Sequence, residues 1–270
     1  MCSVYLVSQK TSKKKEESML RSLATALVLS TVALPAAAES LEVSTTVGFE
    51  SRYLFRGVQF AETSFQPAIN LGYGNFYGTA WLNLPIGDDD LVVTPGGEEL
   101  DLVVGYSAPI SDVVSFDVGL TYYTFPDLAS GFFDLYEEDG DGMGANTLEP
   151  YAGLAFDIPL SPSIYVYHDF NFDTTTFQAN GSYSFPLAEK TSFDVGGYIG
   201  YVIDDTGGTD YVYGTASADI SYAISDNGSF YAGVRYGGSD LPGGSVIDDS
   251  IAGTTKSSAV WWGLGFNASF

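Results

Sequence analysis

The chain has one cysteine, Cys2, among its 270 residues. A lone cysteine forms no intrachain disulfide, and Cys2 lies ahead of the main apolar run, so it is not a lipoprotein acceptor. Basic residues are equally scarce: 10 Lys and Arg stand against 34 Asp and Glu, a net charge of −24. The first 38 residues hold five bases and two acids, so residues 39–270 carry −24 less 3, or −27. Their bases are Arg52, Arg56, Lys190, Arg235 and Lys256. Such a surface repels nucleic acid and anionic head groups. Beyond residue 38 no run of 18 apolar residues occurs, which excludes a transmembrane helix there. In place of these come 18 Phe, 19 Tyr, 3 Trp and 31 Gly, a composition suited to strands joined by turns.

The segment 19–38, MLRSLATALVLSTVALPAAA, reads as an export signal: basic Arg21, a short apolar stretch, then small residues Ala36, Ala37 and Ala38. The expectation is a start at Met19 and cleavage after Ala38, with 1–38 an N-terminal extension plus signal peptide and 39–270 the folded domain.

Reading 39–270 for period two gives twelve segments, each near the ~10 residues a tilted strand needs to cross a bilayer. They fall at about 41–56, 64–73, 76–84, 98–106, 114–123, 147–157, 163–170, 176–185, 192–202, 211–222, 230–236 and 258–270. Connections after even-numbered segments are short, whereas the long ones, 85–97, 124–146 and 237–257, follow odd-numbered segments. The long-loop side also holds the acidic runs 88–90 and EEDGDG, 137–142. The non-aromatic face of the strands is rich in Gly, Ser, Thr and Asp, a poor dry core but a good wet lumen. The expected fold is all-β: a transmembrane antiparallel up-and-down β-barrel of about twelve strands, in the bacterial outer membrane and surrounded by its lipid.

Within SRYLFRGVQF, 51–60, the same parity puts Val43, Thr45, Val47, Phe49, Tyr53 and Phe55 on one face, and Glu50, Arg52 and Arg56 on the other. Arg facing lipid at mid-membrane costs ~2–4 kcal/mol, so the charged face is expected to look into the pore. Near the outer end this predicts lumen positions for Arg52, Arg56, Arg235, Glu50, Glu99, Asp101 and Glu149. Nearer the periplasm it predicts Asp117, Asp194 and Asp219 with no base among them. Two compatible readings follow: the arginines brace the wall by pairing with carboxylates, or they form a constriction that sorts solutes by charge. The excess of acids favours mild cation preference.

These residues also carry a resemblance. Ser51-Arg52-Tyr53-Leu54-Phe55-Arg56-Gly57, the strand Gln66-Pro67-Ala68, NFYGTAW at 75–81, and Glu149-Pro150-Tyr151-Ala152-Gly153 resemble the TorF-type porin family of proteobacteria, outer-membrane proteins long catalogued as conserved hypotheticals. The terminal WWGLGFNASF adds a general outer-membrane feature, a final aromatic, Phe270, read by the barrel-assembly machinery. The resemblance implies a barrel porin with a signal peptide and no catalytic residues; it implies no particular solute.

Other constellations are weaker. His168, in YVYHDF, shares a face with Ile164, Val166 and Phe170 at the membrane rim, where an outer-membrane lipase would keep a base, but no serine is marked by a motif. In 137–149 a calcium-loop pattern begins at Glu137, Asp139, Asp141 and Gly142, then fails at Leu148. Weak divalent-cation binding by clustered loop carboxylates is the expectation that survives. Glycine spacings in GYGNFYG and GGYIGY lie in or between strands with no helix after them; they are read as room for lumen aromatics such as Tyr77, Trp81 and Tyr198, not as cofactor loops. No cofactor or metal is expected. The functional expectation is passive diffusion of small hydrophilic solutes. Its alternatives are a structural or adhesive barrel plugged by the 124–146 loop and, third, an enzyme.

Overall fold

The computed structural model describes residues 40–86, 97–126, 129, 131–135, 146–248 and 254–270. The leader 1–38 and the acidic runs 88–90 and 137–142 lie outside these residues. Twelve strands close a barrel: β1 (Glu42–Glu50), β4 (Ser64–Tyr73), β5 (Phe76–Pro85), β6 (Glu99–Pro109), β7 (Val114–Thr124), β8 (Thr147–Phe156), β9 (Ser163–Asp169), β10 (Thr174–Ala188), β11 (Thr191–Asp204), β12 (Tyr211–Ser225), β13 (Gly228–Ser239) and β16 (Ser258–Ser269). Every adjacent pair is antiparallel, and the cylinder closes where β1 meets β16 in the register Val47↔Phe266 and Phe49↔Leu264. Closure leaves no unpaired edge, as backbone crossing hydrocarbon requires.

Alternation then sorts the side chains. Along β16, Val260, Trp262 and Leu264 face outward with about half or more of their surface uncovered by protein, while Ala259 and Trp261 are buried inside. On β7, Val118 faces out, whereas Asp117, Thr121 and Tyr123 are buried in the lumen. The outer wall is thus a belt of aliphatic and aromatic side chains that hydrocarbon solvates, and the polar residues turn inward. One rim carries short turns, 74–75, 110–113, 157–162, 189–190 and 226–227. Three of these turns have two residues, and in the first Gly74 adopts φ 59°. The other rim carries 51–63, 86–98, 125–146, 170–173, 205–210 and 240–257, so the expected asymmetry is present.

The first segment departs from expectation. The ladder ends at Glu50, opposite Ser64 and Gly263, rather than running on to Arg56. The chain then bends and folds inward as a hairpin of β2 (Tyr53–Phe55) and β3 (Val58–Ala61), its tip formed by Arg56 at φ 45° and Gly57 at φ 77°. Parity had placed Tyr53 and Phe55 toward lipid. Instead Tyr53 is buried against Ala61, Ala68 and Trp81, with Phe55 and Phe60 packed beside them. A wall strand and an in-folded hairpin share the same period of two, and only the Arg-Gly turn distinguishes them. A second small antiparallel pair, β14 (Val246–Ile247) and β15 (Thr255–Lys256), lies beside the hairpin, where Gln59 N donates to Ser245 O.

Candidate functional site: a hairpin seated in the lumen

The inserted hairpin reaches across the barrel. Its base is apolar: besides the Tyr53 cluster, Leu54 packs with Val246, Ala259 and Trp261. Its tip is charged. Arg56, buried, sets a guanidinium nitrogen 2.7 Å from Oε2 of Glu149 on β8 and lies over the rings of Phe55 and Tyr167, 4.8 and 5.2 Å from their centroids. Burial works against the guanidinium charge, but Glu149 outweighs it and holds the pKa of Arg56 above its ordinary value. Tyr123 donates a further hydrogen bond to Glu149 at 3.0 Å. Next to Arg56, a Cβ on Gly57 would collide with the carbonyl oxygen of Gly238 and with Cβ of Tyr213, so only glycine lets the tip lie against β12 and β13. From above, Gln59 N donates to Ser245 O at 2.9 Å, Ile247 N donates to Gln59 Oε1 at 3.0 Å, and Arg52 donates to Gln59 Oε1 and to Ile247 O.

Arg52 and Arg56 therefore sit inside the barrel, as parity expected, but on the plug rather than on the wall. The remaining predicted residues fall into three groups. Glu99 and Asp101 are both buried on the lumen face of β6, next to Tyr53 of the hairpin. Glu50, Arg235 and Asp219 form a charged chain: Arg235 lies 3.3 Å from Glu50 and 2.5 Å from Asp219, and Trp261 Nε1 donates to Glu50 at 3.1 Å. The acid-only lower half thus needs correction, because Arg235 on β13 reaches diagonally to Asp219, which stands opposite Gly233. Asp194, directly across from Asp219, accepts from Ser192 Oγ at 3.0 Å. Asp117 is apart from these, fully buried, accepting from Tyr77 at 2.8 Å and from Tyr165 at 2.9 Å, while the Tyr151 hydroxyl meets that of Tyr77 at 2.5 Å.

Parity could not show how the tyrosines are seated. Tyr77, Tyr151, Tyr165, Tyr213 and Tyr231 stand directly opposite Gly105, Gly119, Gly153, Gly200 and Gly265 in the neighbouring strands. Each ring covers its glycine so closely that a Cβ there would strike it. Flat on the wall, the rings project their hydroxyls sideways into hydrogen bonds. The signal was in the sequence as glycine richness on the lumen face; the pairing needed the register. Of the aromatics expected in the lumen, Tyr77 and Trp81 are buried there, and Tyr198 packs on Tyr213 with ring centroids 5.9 Å apart.

Below the hairpin tip a cavity of about 50 Å³ remains, lined among others by Arg56, Trp81, Asp101, Tyr151, Tyr165 and Tyr167. It has room for a few waters. The hairpin 53–61 occupies the lumen beside this cavity, and the 124–146 loop, expected as the plug in the alternative reading, lies mostly outside the described residues. The seat is incompletely satisfied: Gln59 Nε2, Ser245 Oγ, Ser239 Oγ and Thr176 Oγ1 are buried without a hydrogen-bond partner. Each such atom costs about 1–3 kcal/mol relative to hydration.

His168 lies half-exposed on the outer rim. Its Nδ1 is 3.1 Å from Thr175 Oγ1, which donates to Asp205 at 2.8 Å. Among the described residues no group of three or more His, Cys, Asp or Glu could hold a metal ion. The loop carboxylates expected to attract divalent cations lie mostly outside those residues.

Residues 35–157 match the family described as "Bacterial protein of unknown function (Gcw_chp)". No curated protein matches the chain. Among solved structures, the KdgM porin is similar with a TM-score of 0.50 and 13% identity, over 85% of this chain and 99% of that one. The NanC porin gives 0.48 and 11%, over 84% and 98%. The COG4313 outer membrane channel from Pseudomonas putida F1 gives 0.46 and 10%, over 87% and 99%. The KdgM likeness is one of fold: a bacterial outer-membrane β-barrel.

Proposed function

We propose that the protein is a narrow outer-membrane channel for passive diffusion of small hydrophilic solutes, with mild cation preference. The observation that carries this reading is the division of the wall. A barrel needed only as a scaffold could fill its interior with aliphatic side chains, whereas this lumen gathers hydroxyls, amides and charges around a water-sized cavity. Seven of the ten predicted charged positions are carboxylates and three are arginines, which supports the cation preference. The TorF-type resemblance agrees with a porin-like role, and residues 1–38 serve as a leader removed after Ala38. Phe270 engages the assembly machinery, and loop carboxylates attract divalent cations weakly. His168 is read as an amphipathic rim residue rather than a catalytic base, because its Nδ1 meets only a threonine hydroxyl and a carboxylate. The runner-up, a plugged structural barrel, is favoured by one observation, the seated hairpin. Planar-bilayer recording tests the proposal: discrete openings with a reversal potential displaced toward that of the cation are expected across a salt gradient. Anion selectivity would remove the preference, and silence both from the folded full chain and from a folded barrel lacking 53–61 would remove the channel.

A further inference from the structure

We infer that the hairpin 53–61 is a hinged gate, anchored at its apolar base and releasable at its polar tip, so that the occluded lumen is one of two states. This rests on the channel reading above. Two halves of the same hairpin are held by different chemistry. At the base, Tyr53 packs with Ala61, Ala68 and Trp81, and Leu54 with Val246, Ala259 and Trp261, apolar contacts that are costly to pull apart into water. At the tip the seat is made of groups that water would satisfy as well or better: the Arg56–Glu149 pair, Gln178, Thr79, Thr121 and the tyrosine hydroxyls. Around the seat, Gln59 Nε2, Ser239 Oγ, Ser245 Oγ and Thr176 Oγ1 lack partners, and a wetted lumen would supply them.

Backbone bonding points the same way. Among the described residues, the backbone hydrogen bond that leaves the hairpin is Gln59 N to Ser245 O, which goes to the 240–257 connection rather than to the wall. The ladder of the barrel is complete without β2 and β3, so the tip can lift without breaking a wall strand. The tip also depends on one residue for its fit: Gly57, at φ 77°, is pressed against the Gly238 carbonyl, where any side chain would collide.

Three chains in planar bilayers test this: the full chain, Gly57→Ala, and a variant with 53–61 replaced by Gly-Gly-Ser. Heat-modifiable mobility in electrophoresis verifies that each is a closed barrel. The full chain is expected to switch between a low and a high conductance level. Gly57→Ala should raise the open fraction at least about tenfold, and the shortened chain should stay at the high level. A full chain with one steady level, whether conducting or silent, overturns the gate. So does a Gly57→Ala variant whose open fraction equals that of the full chain. If instead the shortened, folded barrel carries no current, the channel reading itself falls, and the gate with it.

Discussion

Replacing Glu149 by Gln removes the negative partner of Arg56 at the centre of the barrel while keeping its size. Stripping one member from a buried ion pair costs about 3–5 kcal/mol where the remaining charge cannot escape. Arg56 can escape, because it sits on a hairpin tip and not on a wall strand. The cost should therefore appear as unseating of the tip, with a seated-to-released ratio lowered by about a hundredfold to a few thousandfold at roughly 1.4 kcal/mol per tenfold. Global stability in urea should move by less than about 1 kcal/mol, since the twelve-stranded ladder is untouched. Hydrogen exchange read amide by amide is the assay: those of 53–61 should lose protection while those of β7 to β12 keep theirs. The double variant Glu149→Gln with Arg56→Met removes both charges and should regain most of the protection. If the hairpin amides stay as protected as in the parent, or the whole barrel loses several kcal/mol together, the reasoning is wrong.

Three further outcomes are expected. Tyr77→Phe deletes one of the two phenol donors to the buried Asp117 and should destabilise the folded barrel by about 1–3 kcal/mol in urea, while Tyr73→Phe, exposed on the outer face, should not. Gly153→Val puts a branched side chain under the Tyr165 ring, and the yield of heat-modifiable barrel should fall by at least half; an unchanged yield would show that the ring has other room. Leu264→Arg places a cation on the lipid face and should cost about 2–4 kcal/mol if that site lies at mid-membrane, measured by folding titrations into vesicles. A neutral result there would mean that odd and even positions of β16 had been assigned to the wrong solvents.

The wall was legible in the sequence because lipid and water sit on opposite sides of a strand and the pattern must alternate. The runs 114–123 and 258–270 show it almost without interruption, and both become barrel strands, β7 and β16. The lumen carboxylates Glu99, Asp101, Asp117 and Glu149 followed from the same parity and are buried inside. Segment ends were harder to read. β10 runs on to Ala188, beyond the expected end at 185, since Pro186 and Leu187 alternate no differently from a turn. The hairpin was missed for a deeper reason: local pattern reports which residues share a face, not whether the segment lies in the wall or within it. Leu54, an apolar residue at the parity of Arg52 and Arg56, is the one discordant sign in the sequence, and it fits a residue whose apolar partners, Val246, Ala259 and Trp261, are far along the chain. The diagonal reach of Arg235 to Asp219 likewise required the register between β12 and β13.

The tyrosine–glycine pairs bear on how the cylinder is assembled. Sliding any of these strands by one residue against its neighbour would set the phenol on an occupied position and turn its hydroxyl toward hydrocarbon. Misaligned intermediates are thereby penalised at several seams around the circumference. Strands laid down in order could test each seam as it forms, long before the final one between β1 and β16 is sewn.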